Sequence, residues 1–348
     1  MKYKVALLYC FSDDSQWQQV LKMNKSIEYC CIDITSHDWL QQCLSVDYQL
    51  FLVKAPGTTT SIKQLFDERI VVLSKMMGKH IYPSLQELLI YENKRLLAQW
   101  LTIQGIPTPQ TQVFYSKTEC LEFLCNTKFP IVGKINIGSS GKGVTILRDF
   151  EKANKYVNQI FNNGIRPYIG PNFRTSSIVS KIKKMISSKG LLAHKVKVYK
   201  SIYNEPQRYA ILQGYVKHSF EWRVVVIGES YFAHKKIVSG SKASGSLLKG
   251  YDDPPLSLFD FVYDFCIKTD LSSTSIDLFE TPSGYVVNEI QTFFGQSDPI
   301  QMRVGGIAGR YQRINGSWVF EEGDWAEYEC YQLRLSHAIS LLENRNDQ

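Results

Sequence analysis

The chain has 348 residues, 44% of them hydrophobic, 21% charged and 13% aromatic, with a formal net charge of +7. That length exceeds one small core and predicts two or three structural units, while no apolar run nears the roughly 18 residues of a membrane span. The eight cysteines include no CxxC pair and there is no HExxH, which argues against structural zinc and thioredoxin-like chemistry. Most of the cysteines sit in apolar surroundings and read as buried small hydrophobes, and that many thiols predicts a reducing, cytoplasmic compartment.

The first ninety residues alternate strand and helix signals. KVALLYC, EYCCIDI, YQLFLVKAP and the shorter KHIYPS are strand-like. The first leads straight into Asp13 and Asp14 with no small-residue cleavage site, so it reads as a core strand rather than a signal peptide. Between the strands lie helical patterns, the clearest from Ser61 to Met77 with Gly78 as a stop. This alternation predicts a small parallel α/β unit. A further helix is expected to begin near Leu85 or Tyr91 and to end at Gly105 before Pro107. Next come strand FPIVGKI, a glycine-rich turn, strand GVTILR and a helix from Phe150 to Phe161. A basic segment from Lys181 to Lys200 reads either as solvated faces or as a surface for an anionic substrate. From Tyr209 onward strands dominate, with hairpin turns at Gly228-Glu229 and Pro282-Ser283-Gly284, before a last helix from Trp325 to Leu342.

Three local features carry chemistry. Lys134 ends an apolar strand and precedes Gly138-Ser139-Ser140-Gly141-Lys142-Gly143. Glycines there let backbone N–H groups approach phosphates, although an empty flexible turn has the same composition, and no GxxxxGK[ST] is present. Asp277 in SIDLF faces a second strand, YVVNEIQ, across a turn. Alternation puts Glu289 and Gln291 on one face of that strand, with Asn288 and Ile290 on the other. Two carboxylates and an amide oxygen form a hard-oxygen set suited to magnesium, or else a salt-bridged strand pair. Arg223, with Lys235 or Lys236 on the following strand, would stabilise charge on a transferring phosphoryl group. His234, with no carboxylate close in sequence, reads as structural.

In this order the segments resemble the ATP-grasp superfamily, and most resemble its branch of ribosomal-protein glutamate ligases and related peptide-forming enzymes. The resemblance rests on Asn93-Lys94 before Gly105-Ile106-Pro107-Thr108-Pro109, and on Lys134 with GSSGKGV. It continues through the hinge Leu212-Gln213-Gly214-Tyr215-Val216 and the strand Glu221-Trp222-Arg223 to Asp277, Glu289 and Gln291. Four departures stand out. Gly214 replaces an acidic residue, Gln291 replaces an asparagine, Thr292-Phe293-Phe294-Gly295 replaces a glycine-proline ending, and the stretch from Pro171 to Gln207 is longer and more basic.

The resemblance implies an α/β (α+β) ATP-grasp fold in three parts: an N-terminal unit (1–90), a central subdomain with the lid loop (91–208) and a C-terminal subdomain with the metal site (209–348). It implies ATP held by Lys94, Lys134, Gly138, Ser139, Ser140, Gly141, Gly143, Gln213 and Tyr215. Mg2+, or Mn2+ in its place, would sit on Asp277, Glu289 and Gln291, with Arg223, Lys235 and Lys236 catalytic. The implied activity is an ADP-forming carboxylate–amine ligase acting through an acylphosphate. The alternatives are a kinase for a hydroxyl of an anionic small molecule, similar to the inositol-phosphate kinases, and a nucleotide-binding module without turnover. Expected partners are an anionic small molecule or peptide, with a second copy of the chain as an option; neither membrane nor nucleic acid is expected.

Overall fold

The computed structural model describes residues 3–10, 15–57, 59–138, 143–165, 207–239, 242–243, 249–294 and 300–346. The basic segment from Lys181 to Lys200 and the loop residues Ser139, Ser140 and Gly141 lie outside the described residues.

The N-terminal strands β1 (Tyr3–Tyr9), β2 (Ile27–Asp33), β3 (Leu50–Val53) and β4 (Ile81–Tyr82) form a parallel sheet in the order β2-β1-β3-β4. Their crossovers are α1 (Ser15–Met23), α2 (Trp39–Leu44) and α3 (Thr60–Val71), the last continuing as a π-helical turn over Val72–Met76. Val5, Leu7, Leu50 and Leu52 pack to one side of the sheet, and Ala6, Leu8, Phe51 and Val53 to the other. Coverage on both faces explains why these strands read as unbroken apolar runs.

The single helix expected near residues 85–91 is two. The helix α4 (Leu85–Ile90) starts with a capping box between Ser84 and Glu87, and α5 (Lys94–Ile103) starts from Asn93, whose side chain accepts from Leu96 N. Glu92 separates them in a left-handed conformation (φ 49°), and Gly105 (φ 59°) ends α5. Leu97 and Leu101 of α5 pack on the large sheet described below.

A small antiparallel sheet follows, in the order β5-β8-β6-β7: β5 (Thr111–Phe114), β6 (Ile131–Lys134), β7 (Val144–Leu147) and β8 (Ala210–Gly214). One face is covered by α6 (Lys117–Cys125) and α7 (Phe150–Asn162) through Cys120, Leu124, Tyr156, Val157 and Ile160.

The largest sheet runs β14-β13-β9-β10-β16-β15, from β9 (Phe220–Ile227), β10 (Ser230–Ser239), β13 (Ser273–Thr281), β14 (Gly284–Gln291), β15 (Arg303–Val304) and β16 (Ile307–Ile314). Short strands β11 (Lys242–Ala243) and β12 (Lys249–Gly250) pair with β10, and β17 (Ser317–Glu322) pairs with β16. One face packs on α8 (Leu256–Thr269), a helix absent from the sequence reading, through Leu258, Phe259, Val262, Phe265 and Cys266.

The expected last helix begins later than Trp325. A 3-10 turn over Glu327–Cys330 precedes α9 (Tyr331–Asn346). Tyr331, Leu335, Ala338 and Leu342 of α9 join Val5, Trp17 and Leu52 in the core of the parallel unit, so the end of the chain returns to its beginning. Glu87, 1% exposed, ties the parallel unit to the large sheet: its Oε1 accepts from Ser272 N (2.9 Å) and Ser273 N (2.6 Å).

Candidate functional site

The small sheet and the large sheet face each other across a cleft. Its apolar part is lined by Leu97, Ala98, Leu101 and Ile211, and its polar part by Lys94, Lys134, Gln213, Asn288 and Glu289. Such a mixture, apolar walls with a few convergent polar groups, is the usual make-up of a small-molecule site.

Strand register builds the floor. Asp277 pairs with Glu289 on one side and Arg223 on the other, and Arg223 pairs with His234. Directly opposed residues project from the same face of an antiparallel sheet. Glu221 and Lys236, opposed to each other and two residues away along the same strands, share that face. Arg223 grips Asp277 through Nε to Oδ1 (2.8 Å) and Nη2 to Oδ2 (2.9 Å). Lys236 donates to Asp277 Oδ2 at 2.6 Å and to Glu221 Oε2 at 2.7 Å. Burial alone would raise the Asp277 pKa, but the Arg223 and Lys236 charges outweigh it and hold the carboxyl well below its ordinary range.

The same alternation separates the two lysines that the sequence left undecided. Lys235 leaves the opposite face, where it meets Asp252 Oδ2 (2.7 Å) and lies over the rings of Phe220 and Trp222. The structure therefore does not bring Lys235 to the cleft.

Lys134 reaches from β6 across the cleft to Asn288 Oδ1 (2.9 Å), and Asn288 Nδ2 donates to Glu221 Oε1 (3.1 Å). Alternation placed Asn288 on the face away from Glu289, and the structure corrects this. Asp277 pairs with Glu289 but Leu278 pairs with Val287, so Asn288 is the extra residue of a β-bulge. The bulge lets adjacent Asn288 and Glu289 both serve the cleft. Burial lowers the Lys134 pKa to about 8, with Glu289 pulling it up and the Lys94 charge pushing it further down.

On the other wall, Lys94 at the start of α5 is 3.0 Å from Glu289 Oε1 and 3.8 Å from Glu92 Oε2, and it donates to Gly138 O at 3.0 Å. Burial would lower its pKa, but Glu289 and Glu92 outweigh this and the net shift is upward. Burial would raise the Glu289 pKa, but the charges of Lys94, Lys134 and Lys236 together outweigh it and the net shift is downward. Glu92 also accepts from Gly138 N (2.8 Å), and burial raises its pKa. Both backbone groups of Gly138, where the glycine-rich loop begins, are thereby held.

Gly143 closes that loop at φ 78°, and a Cβ there would lie 2.2 Å from the Ile135 side chain, so no larger residue fits. Gln213 lines the cleft and donates to Thr111 Oγ1 (2.9 Å). Tyr215 is 36% exposed and is not among the residues that line the cleft. Gln291 shares a strand face with Glu289, two residues away.

Sequence reading missed Glu92, Asn136, Glu221 as an ion-pair partner, and Asn288. Asn136 Oδ1 accepts from Arg95 N (2.9 Å), fastening the approach to the glycine-rich loop onto the first turn of α5. A polar residue inside an apolar stretch was the available signal for Asn136 and for Asn288. Little local marks Glu92, whose hydrogen-bond partner Gly138 is distant in sequence. His234 is buried as a structural histidine: Nδ1 meets Gln301 O (2.9 Å), and burial together with the Arg223 charge lowers its pKa to about 3.

Among the described residues no three acidic, histidine or cysteine side chains converge in the manner of an all-protein metal cage. Two carboxylates and one amide on one face nevertheless fit magnesium in kind, since that ion is commonly held by one or two carboxylates together with substrate phosphates and water.

No protein-family model matches the sequence, and no curated protein matches it in sequence. Solved structures do resemble it. A RimK domain ATP-grasp protein from Sphaerobacter thermophilus superposes with a TM-score of 0.50 at 14% identity, covering 84% of this chain and 92% of that one. The D-alanine–D-alanine ligase from Bacillus anthracis complexed with ATP gives 0.52 at 14% identity, covering 99% of both chains. D-alanyl-alanine synthetase A from Vibrio cholerae O1 gives 0.55 at 12% identity, again with 99% of both covered. At these identities the likeness establishes the fold. The chain has the ATP-grasp fold, as the order of its motifs implied.

Proposed function

We propose that this chain is an ADP-forming ATP-grasp ligase that joins a carboxylate to an amine. The observation that carries this reading is the set of opposed charges around one cleft: Lys94, Lys134, Arg223 and Lys236 against Glu92, Glu221, Asp277 and Glu289. Four cations balance four carboxylates, so the arrangement is held together by its own ion pairs. A triphosphate bound between the sheets competes for the cations. Asp277 and Glu289, with the Gln291 amide, would hold magnesium, which supplies charge neutralisation at phosphate oxygens.

In this reading the nucleotide base lies against Leu97, Ala98, Leu101 and Ile211, beside Gln213. Lys94 and Lys134 contact the phosphates from the wall that carries the glycine-rich loop. Arg223 and Lys236 exchange Asp277 for the γ-phosphoryl oxygens and stabilise their charge during transfer. The substrate carboxylate oxygen attacks the γ-phosphorus, ADP leaves, and an acylphosphate forms. The amine nitrogen then attacks the acyl carbon, phosphate departs with the bonding pair, and the amine loses a proton to give the amide. Positioning and electrostatics dominate such chemistry, and no side-chain nucleophile is required.

The test is ADP release across a matrix of carboxylates and amines, with products identified by mass. A ligase releases ADP in step with amide formation and needs both substrates. A phosphorylated hydroxyl compound formed without any amine would replace this reading with a kinase. Failure to bind ATP would remove both.

A further inference from the structure

Of the four carboxylates at the cleft, Glu92 alone has no task in the ligase reading. Asp277 and Glu289 turn to magnesium there, and Glu221 pairs with Lys236 while accepting from Asn288 Nδ2. Glu92 stands in the short link between α4 and α5, with its backbone left-handed at φ 49°. That region suits glycine and burdens a residue with a long side chain, so a glutamate in it is explained by what the side chain does. The residue is 5% exposed. The loop after β3 backs it closely, since a Cβ on Gly57 would lie 3.0 Å from Glu92 Cγ.

The carboxylate touches what a phosphate would touch. Its Oε2 accepts from Gly138 N (2.8 Å) and lies 3.8 Å from Lys94 Nζ. Both donors belong to the set through which the ligase reading holds the nucleotide. An N–H aimed at one oxygen 2.8 Å away is not available to a second. Carboxylate and phosphate also present the same kind of acceptor, an anionic oxygen that makes short, charge-assisted hydrogen bonds. The contact of Lys94 with Glu289 (3.0 Å) opens when Glu289 turns to a metal ion, but metal binding does nothing to move Glu92.

We infer that Glu92 is an internal competitor for the nucleotide phosphates: in the empty site its carboxylate takes the Gly138 N–H and shares Lys94, and a nucleotide gains both donors only by displacing it. This rests on the nucleotide site of the ligase reading and adds to it a brake on affinity. The brake acts on ATP and ADP alike, and by weakening ADP it shortens the stay of the product after transfer.

The experiment is a calorimetric titration of the full chain, with Mg2+ present, using adenosine, ADP and a non-hydrolysable ATP analogue. Adenosine carries the base and sugar but no phosphate to compete with Glu92. Wild type is compared with Glu92→Gln, which keeps the shape and loses the charge, and with Glu92→Gly, which accepts the left-handed backbone and removes the competitor. ADP and the analogue are expected to bind about tenfold tighter in Glu92→Gln and at least as tightly again in Glu92→Gly, with adenosine at its wild-type affinity. Unchanged or weaker binding of ADP and the analogue in these variants overturns the competitor while the nucleotide site stands. A gain for adenosine as large as that for ADP overturns it too, because the effect then does not pass through phosphate. A wild-type chain that binds none of the three ligands removes the nucleotide site itself, and the competitor with it.

Discussion

Lys134 gives the most direct test of the nucleotide site. The side chain is 8% exposed, its Nζ donates to Asn288 Oδ1 at 2.9 Å, and burial lowers its pKa from 10.5 to about 8. Replacing it by methionine keeps the volume and removes the charge. A charge-assisted contact to phosphate contributes about 1.5–3 kcal/mol, so nucleotide affinity should fall roughly ten- to hundredfold. Fold stability is a poor readout of this change. Relief of the desolvated charge, about 3 kcal/mol by linkage, is offset by about 1–3 kcal/mol for leaving Asn288 Oδ1 without its donor. pH separates the two effects. The folded pKa lies below the unfolded one, so the native chain binds fewer protons between pH 8 and 10.5 and its stability rises across that window. Nucleotide affinity moves the other way, falling by up to about tenfold per pH unit above pH 8 as the ammonium is lost. Calorimetric titration with ATP from pH 7 to pH 10, in wild type and Lys134→Met, checks this. A flat wild-type profile, or a methionine variant that binds as tightly as wild type at pH 7, refutes the assignment.

Glu289→Gln should leave the fold intact, since this side chain keeps 22% exposure, while lowering ADP release by orders of magnitude; wild-type turnover would remove Glu289 from the metal set. Lys236→Gln breaks a buried pair with Asp277 and Glu221 and should cost about 3–5 kcal/mol in a denaturant titration, together with turnover. Lys235→Gln breaks a partly exposed pair with Asp252 and should cost under about 1 kcal/mol with turnover retained; equal losses in the two variants would contradict the face assignment. Burial lowers the pKa of His234 to about 3 and of His337 to about 4, from 6.5. The unfolded chain therefore binds more protons than the native one below pH 6.5, and stability should fall as pH drops from 6.5 toward 4. Urea midpoints at pH 7 and pH 5 measure this, and a smaller drop is expected in His337→Gln.

Alternation along single strands and the residues that punctuate turns are local properties, and they were legible. The parallel unit, the hairpin turning at Gly284 and the facing of Asp277 by Glu289 all followed from them. The helical spacing of Leu258, Phe259, Val262, Phe265 and Cys266 was equally present in the sequence, but it was hidden within a region dominated by strand signals. The hairpin of β16 and β17 escaped notice because one of its faces exposes the apolar Ile314 and Val319, which blur the alternation.

By itself, the sequence determined which chemical groups the chain possesses and the order in which they appear, because helix and strand periodicity and turn chemistry act over a few residues. Tertiary structure decided which of those groups meet. The bulge that brings Asn288 beside Lys134 is defined by pairing with a strand about ten residues away, and Lys134 itself crosses 154 positions of sequence to reach it. Pairing of β10 with β9 sent Lys236 into the cleft and Lys235 out of it, and pairing with β12 set Lys249 opposite Lys236. Register depends on non-local hydrogen bonds, and a shift of one residue would send every side chain of a strand to its other face. That is why the groups could be read from the chain, while the partners of each became visible only in the folded sheets.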